Sequence, residues 1–237
     1  MKKIILIVFL LIPYLTYSQP DLNNKLSKLK EELEYIADNK IEIKNIAFSN
    51  TGDWVIFYGE IGYSYNYLPD KAKDRLTELN KNEDIITDFE IFNESWVTVS
   101  NNNAYSVYKA EKGLVSMLKK LNKNGKKIKD IDFSENGGWV VLFGKSGFAS
   151  NKIPENAAKK LQKLNKEKKE TYKIELYRNK GYVILFENNG LTFENIPSEA
   201  EIKIKELKKE KKKINIVKFY KDKWIIIYDD YKFYCNF

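Results

Sequence analysis

One aromatic residue recurs along this chain at a period of about 43 residues, and that period constrains the fold more than any composition value. Trp54, Trp96, Trp139, Tyr182 and Trp224 are spaced 42, 43, 43 and 42 residues apart. A fixed period of this size marks a chain built from one small unit. Such a unit cannot bury its own apolar face and must stack on copies of itself.

The surroundings of the marker repeat as well. It opens an apolar run: Val55-Ile56-Phe57-Tyr58, Val140-Val141-Leu142-Phe143, Val183-Ile184-Leu185-Phe186 and Ile225-Ile226-Ile227-Tyr228, with the more polar Val97-Thr98-Val99 in the second copy. Consecutive rather than alternate apolar residues, rich in β-branched types, predict a strand buried on both faces. A second strand precedes each marker, as in Ile43-x-x-Ile46-x-Phe48 and Ile128-x-x-Ile131-x-Phe133. Gly and Asn in the link, as in Ser49–Asp53 and Ser134–Gly138, suit a tight hairpin. A short third strand follows at Tyr63–Tyr65, Tyr105–Val107, Phe148–Ser150, Leu191–Phe193 and Lys232–Tyr234.

Leu68-Pro69, Ile153-Pro154 and Ile196-Pro197 mark helix starts, since proline is tolerated in a first helical turn. Helical periodicity follows at Ala72, Leu76 and Leu79, at Leu114, Met117, Leu118 and Leu121, and at Ala158, Leu161 and Leu164. A further helix runs from Leu22 through Ile36. The prediction is an α+β repeat protein of five helix–strand–strand–strand units, approximately 22–67, 68–109, 110–152, 153–195 and 196–237. No distinct polar capping repeat stands at either end, which favours closure into a ring over an open array.

The strings Ile46-Ala47-Phe48-Ser49…Gly52-Asp53-Trp54 and Ile131-Asp132-Phe133-Ser134…Gly137-Gly138-Trp139 resemble the inner hairpin of β-propeller blades of the WD-repeat kind. The resemblance implies a β-propeller-like ring with outer helices. It covers about 15 residues per unit, lacks the Gly-His and Trp-Asp dipeptides, and finds three strands and a helix where a blade has four strands. A circular shift of the unit also resembles the strand–strand–helix–strand unit of the pentein ring. Pentein catalysis uses Cys and His, so that chemistry is not implied here.

The chain has no histidine and one cysteine, Cys235. That excludes Ser–His and Cys–His nucleophile pairs, histidine-ligated zinc and an internal disulfide. Cys235 reads as a small apolar side chain of the last strand. No Gly-rich phosphate loop is present, and Asp222 and Asp229-Asp230 lack the spacing of a calcium loop. No cofactor, metal site or catalytic residue is assigned. The formal net charge is +8, but acidic residues interleave with the lysines almost everywhere. The basic stretch Lys203–Lys213 reads as a solvated helix end or, alternatively, a phosphate- or glycan-facing patch.

Residues 1–18 read as a signal peptide: Lys2 and Lys3, an apolar core from Ile4 to Ile12, and small residues Thr16 and Ser18 before Gln19. Export to the periplasm or beyond is therefore expected. The expected mature domain is 19–237, with no transmembrane segment. For binding, Tyr63, Tyr65, Tyr67, Tyr105 and Tyr108 are the candidates, because aromatic faces with a polar tip suit sugars and protein partners. The expected function is a non-enzymatic binding or scaffold module for an envelope protein or glycan, with no nucleic-acid partner. The alternative is a carboxylate-dependent glycan hydrolase at the ring centre, for which Asp53, Asp88, Asp132, Glu187 and Asp229 are the acidic candidates.

Overall fold

The computed structural model describes residues 22–237, so the expected signal peptide lies outside the described residues. The first unit comprises α1 (Leu22–Asp38), β1 (Ile43–Phe48), β2 (Trp54–Tyr58) and β3 (Gly62–Tyr65). The second has α2 (Asp70–Lys81), β4 (Ile86–Phe92), β5 (Ser95–Ser100) and β6 (Tyr105–Tyr108). The third has α3 (Lys112–Lys123), β7 (Ile128–Phe133), β8 (Trp139–Phe143) and β9 (Gly147–Asn151). The fourth has α4 (Glu155–Lys166), β10 (Thr171–Tyr177), β11 (Gly181–Phe186) and β12 (Gly190–Glu194). The fifth has α5 (Ser198–Lys209), β13 (Ile214–Tyr220), β14 (Lys223–Tyr228) and β15 (Lys232–Cys235). No helix among the described residues is long and apolar enough to cross a membrane.

Each unit's strands form a separate antiparallel sheet in sequence order. The first strands β1, β4, β7, β10 and β13 contact one another in turn, and β13 contacts β1. They therefore surround a central axis, with the third strands on the outside. Every helix fills the gap between two sheets. Leu76 and Leu79 of α2 pack with Val55 and Phe57 of the first sheet and with Phe89 and Trp96 of the second. Helices α3, α4 and α5 repeat this arrangement at the next three gaps. The last gap closes the ring: Leu29, Leu33 and Ile36 of α1 pack with Ile46 and Ile56 of the first sheet and with Ile216, Ile225 and Ile227 of the fifth. The first helix thus seals the last unit to the first. Around the same seam, Ile43 N donates to Asp230 O at 2.9 Å, and the Phe48 and Tyr220 rings stack at 5.8 Å.

The five marker aromatics occupy equivalent places. Each is the first or second residue of the middle strand, is 4–6% exposed, and pairs across the ladder with an apolar residue of the first strand, from Phe48↔Trp54 to Phe219↔Trp224. Two details differ from the sequence expectation. The buried alanine of α4 is Ala157, at 0% exposure, and not Ala158. Pro69, Pro154 and Pro197 sit one residue before their helices, where the fixed φ of proline leads the chain out of the third strand.

A glycine opens the third strand of three units. Gly62, Gly147 and Gly190 lie across the ladder from Tyr58, Phe143 and Phe186, whose rings cover them. A Cβ at Gly62 would meet Tyr58 Cε2 at 2.6 Å and Tyr58 O at 2.9 Å. Gly62→Ala is expected to destabilise the chain by about 1–3 kcal/mol through overpacking. Urea unfolding checks this, and an unchanged midpoint would show that the ring moves aside freely.

Candidate functional site

The ring axis is filled by charge. The third and fifth residues of every first strand point inward, and they do not repeat from unit to unit. One layer holds Asn45, Asp88, Asp130, Lys173 and Ile216. The next holds Ala47, Glu90, Asp132, Glu175 and Lys218. All but Lys173 are buried. Five like charges at such close range would repel strongly in a low-dielectric interior. The two lysines, the amide and the apolar residues relieve that repulsion.

These side chains also solve an edge problem. The inner edge of each sheet presents unpaired backbone N–H groups at the axis, and carboxylates of the preceding unit accept from them. Ile131 N donates to Asp88 at 2.7 Å, Ile174 N to Asp130 at 2.7 Å, Leu176 N to Asp132 at 2.5 Å and Phe219 N to Glu175 at 2.8 Å. Asn45 Nδ2 donates to Asp88 at 2.8 Å and to Phe89 O at 3.1 Å. Lys173 Nζ donates to Asp130 at 2.9 Å and lies 3.6 Å from Asp88. Lys218 Nζ reaches Glu90 at 2.5 Å, Glu175 at 3.0 Å and Asp132 at 3.9 Å.

Burial disfavours the ionised carboxylates. It pushes Asp88 up to about 7, against the pull of Lys173, and raises Glu90 and Asp132 well above the usual carboxylate range. Glu175 is raised less, with Lys218 opposing its desolvation. For Lys173 and Lys218 burial disfavours the charge, but the surrounding carboxylates outweigh it and both ammonium groups are held above their ordinary value.

Of the acidic candidates read from the sequence, Asp88 and Asp132 lie on the axis. Asp53, Glu187 and Asp229 do not. Asp53 is instead buried at the first hairpin, pairs with Lys25 at 2.8 Å and accepts from Thr51 at 2.7 Å and Asn66 at 2.9 Å. Glu187 lies at the start of the β11–β12 turn. Asp229 pairs with Lys212 and Lys232 at the end of β14. Sequence reasoning passed over Glu90, Asp130, Glu175, Lys173 and Lys218. The readable signal was that the two intervening positions of every first strand are charged or polar in most copies, with lysine entering only in the last two. Beneath the hairpin turns the axis opens into a cavity of about 360 Å³. Glu90, Asp132, Glu175 and Lys218 line it together with Phe92, Tyr177 and Tyr220.

The five tyrosines separate into two groups. Tyr63 packs against the core of the first and second units, and Tyr105 against that of the second and third. Tyr65 stacks on Tyr63 at 6.2 Å and is 40% exposed, and Tyr67 is 58% exposed. Tyr67 and Tyr108 line one surface hollow of about 1000 Å³ between the first two units. Asn50, Asn66, Asp70 and Lys71 surround them, and Asn50 also borders the axial cavity. Tyr67 lies beyond the end of β3, which is why it leaves the face that Tyr63 and Tyr65 share.

No protein-family description matches the chain, and no curated protein matches it. Among solved structures it is similar to the C-terminal domain of gp131 from bacteriophage phiKZ, with 12% identity and a TM-score of 0.35. The similarity covers 67% of this chain and 53% of that one, about half its length. Neither fold nor function is argued from so distant a likeness.

Proposed function

We propose that the chain is an exported, non-enzymatic binding module of the β-propeller-like repeat class, recognising a protein or glycan of the cell envelope through its hairpin face. The observation that carries this reading is the hollow where Tyr67 and Tyr108 stand among amide, hydroxyl and charged groups. Tyrosine supplies a large rigid contact area and a polar tip at small entropic cost. The repeat supports the reading too: closure makes a stiff platform, and loops on a stiff platform are where recognition residues accumulate.

The second reading is a carboxylate-dependent glycan hydrolase. It is favoured by the presence of Glu90, Asp132 and Glu175 beside the axial cavity. Against it, Asp132 and Glu175 are engaged by backbone N–H groups, and Lys218 bridges Glu90 and Glu175. These carboxylates already serve the ring, which leaves no free acid–base pair of the kind glycoside cleavage uses.

Both readings are tested by presenting envelope glycans and envelope proteins to the 19–237 chain and to the Tyr67→Ala, Tyr108→Ala double variant. Binding should weaken at least tenfold in the variant, about 1.4 kcal/mol. A captured glycan should be released unaltered. Equal binding by the double variant would overturn the tyrosine site, and a shortened glycan product would favour hydrolysis.

A further inference from the structure

The opposite end of the axis carries a device that repeats five times. In every first strand the register slips at the second residue, leaving one residue bulged: Lys44, Thr87, Lys129, Tyr172 and Asn215. A bulge bends the strand and re-aims a side chain. The backbone feature is common to all five units, but the side chains are all different. Four of them, Thr87, Lys129, Tyr172 and Asn215, line a single cavity of about 650 Å³. That size is within the range of about 300–1,000 Å³ typical of small-molecule sites.

The lining combines apolar surface with excess positive charge. Leu185, Phe186 and Tyr172 provide an apolar wall, and Tyr172 is 42% exposed. Lys127, Lys173 and Lys213 stand around it. Lys129 is already paired with Glu170 at 2.6 Å, and the same Nζ lies 5.4 Å from the centroid of the Tyr172 ring. Lys127 is exposed and has no carboxylate partner among the described residues. Lys213 has only a solvent-exposed pair with Asp230 at 2.8 Å, of the kind that contributes little. Lys173 forms the floor: its ammonium leans on Asp130 and Asp88 and still has an N–H to donate into the space it lines.

We infer that this bulged end of the axis is a binding site for a small organic anion with an apolar body. The body lies on Tyr172 and Phe186, and the anionic group meets Lys173 with Lys127 and Lys213 at the rim. The site is independent of the tyrosine hollow, which opens at the opposite, hairpin end.

The test uses the full chain, with cyclohexanecarboxylate as the charged probe and cyclohexanemethanol as its neutral counterpart. Amide shifts of Ile128, Tyr172, Phe186 and Ile214 are followed by NMR titration. The carboxylate should bind at least tenfold tighter than the alcohol. The exposed-site variant Lys127→Glu, Lys213→Glu should lose at least tenfold in affinity with an unchanged unfolding midpoint, and Lys221→Glu on the opposite face should lose nothing. Shifts scattered over the surface, equal binding of the two probes, or full affinity in the double variant would each overturn the inference.

Discussion

Replacing Lys218 by methionine should cost about 3–5 kcal/mol of folding stability at pH 8, the usual penalty for leaving a buried charge without its partner. Among the described residues Lys218 is the cation paired with Glu90, Asp132 and Glu175, and its Nζ lies within 3.0 Å of two of them. Methionine matches its length and leaves those carboxylates desolvated together. They then relieve the strain by taking up protons, so the penalty should shrink at pH 5.

The sign follows from the shifts. Asp88, Glu90, Asp132 and Glu175 are raised, so between roughly pH 4, the unfolded carboxylate value, and their folded values the native chain holds more protons than the unfolded one. Their contribution to stability therefore falls as pH rises through that window, which for Asp88 ends at about 7. The raised lysines act at the other end. Their contribution is complete below the unfolded value of about 10.4 and is lost as pH rises through their folded values. Removing Lys218 should push the carboxylate window upward. Urea unfolding of both proteins at pH 5 and pH 8 measures the effect. A variant as stable as the parent at both values would mean that the axial network does not hold the ring.

Leu33→Ala in α1 should cost about 2–5 kcal/mol, because the side chain is fully buried and truncation leaves a cavity. Its location matters more than its size. Leu33 packs between the first sheet and Ile216, Ile225 and Ile227 of the fifth. Hydrogen exchange should therefore show loss of protection in both β2 and β14, which are about 170 residues apart in sequence and brought together by ring closure. In an open array the loss would stay in the first unit, since each repeat would depend only on its sequence neighbours.

The repeated units were legible in the sequence because their packing is periodic. A buried middle strand must be apolar on both faces, so Trp54-Val55-Ile56-Phe57 and its copies announce themselves. A helix filling a gap between sheets must be apolar on one stripe, as Leu76 and Leu79 are. The axis was harder to read because it is where five equivalent positions meet and must differ. Asp88, Asp130 and Lys173 occupy one structural position with opposite charges, so no period connects them. Asp88 and Asp132 stand out as acidic candidates for the ring centre, but alternation within one strand does not join them to their counterparts in the other units. The apolar positions Ile46 and Phe48 follow the repeat, whereas Glu90, Asp130 and Glu175, interleaved with such positions, carry no periodic signal that joins them to Asp88 and Asp132. The bulge was invisible for another reason. It depends on how the strand pairs with its neighbour, and residues as unlike as Lys44, Thr87 and Tyr172 carry it. The Lys25–Asp53 pair joins a helix to a hairpin turn 28 residues on, and only the closed tertiary structure places those groups together.

Ring closure is the claim on which the axis, both of its mouths and the role of α1 depend. The most direct test is a nuclear Overhauser spectrum of the chain with only Phe and Tyr ring protons retained in a deuterated background. The account predicts cross-peaks between the rings of Phe48 and Tyr220, whose centroids are 5.8 Å apart. Their absence, with the Phe92–Phe133 and Tyr177–Phe219 contacts of neighbouring units present, would mean that the five units form an open row.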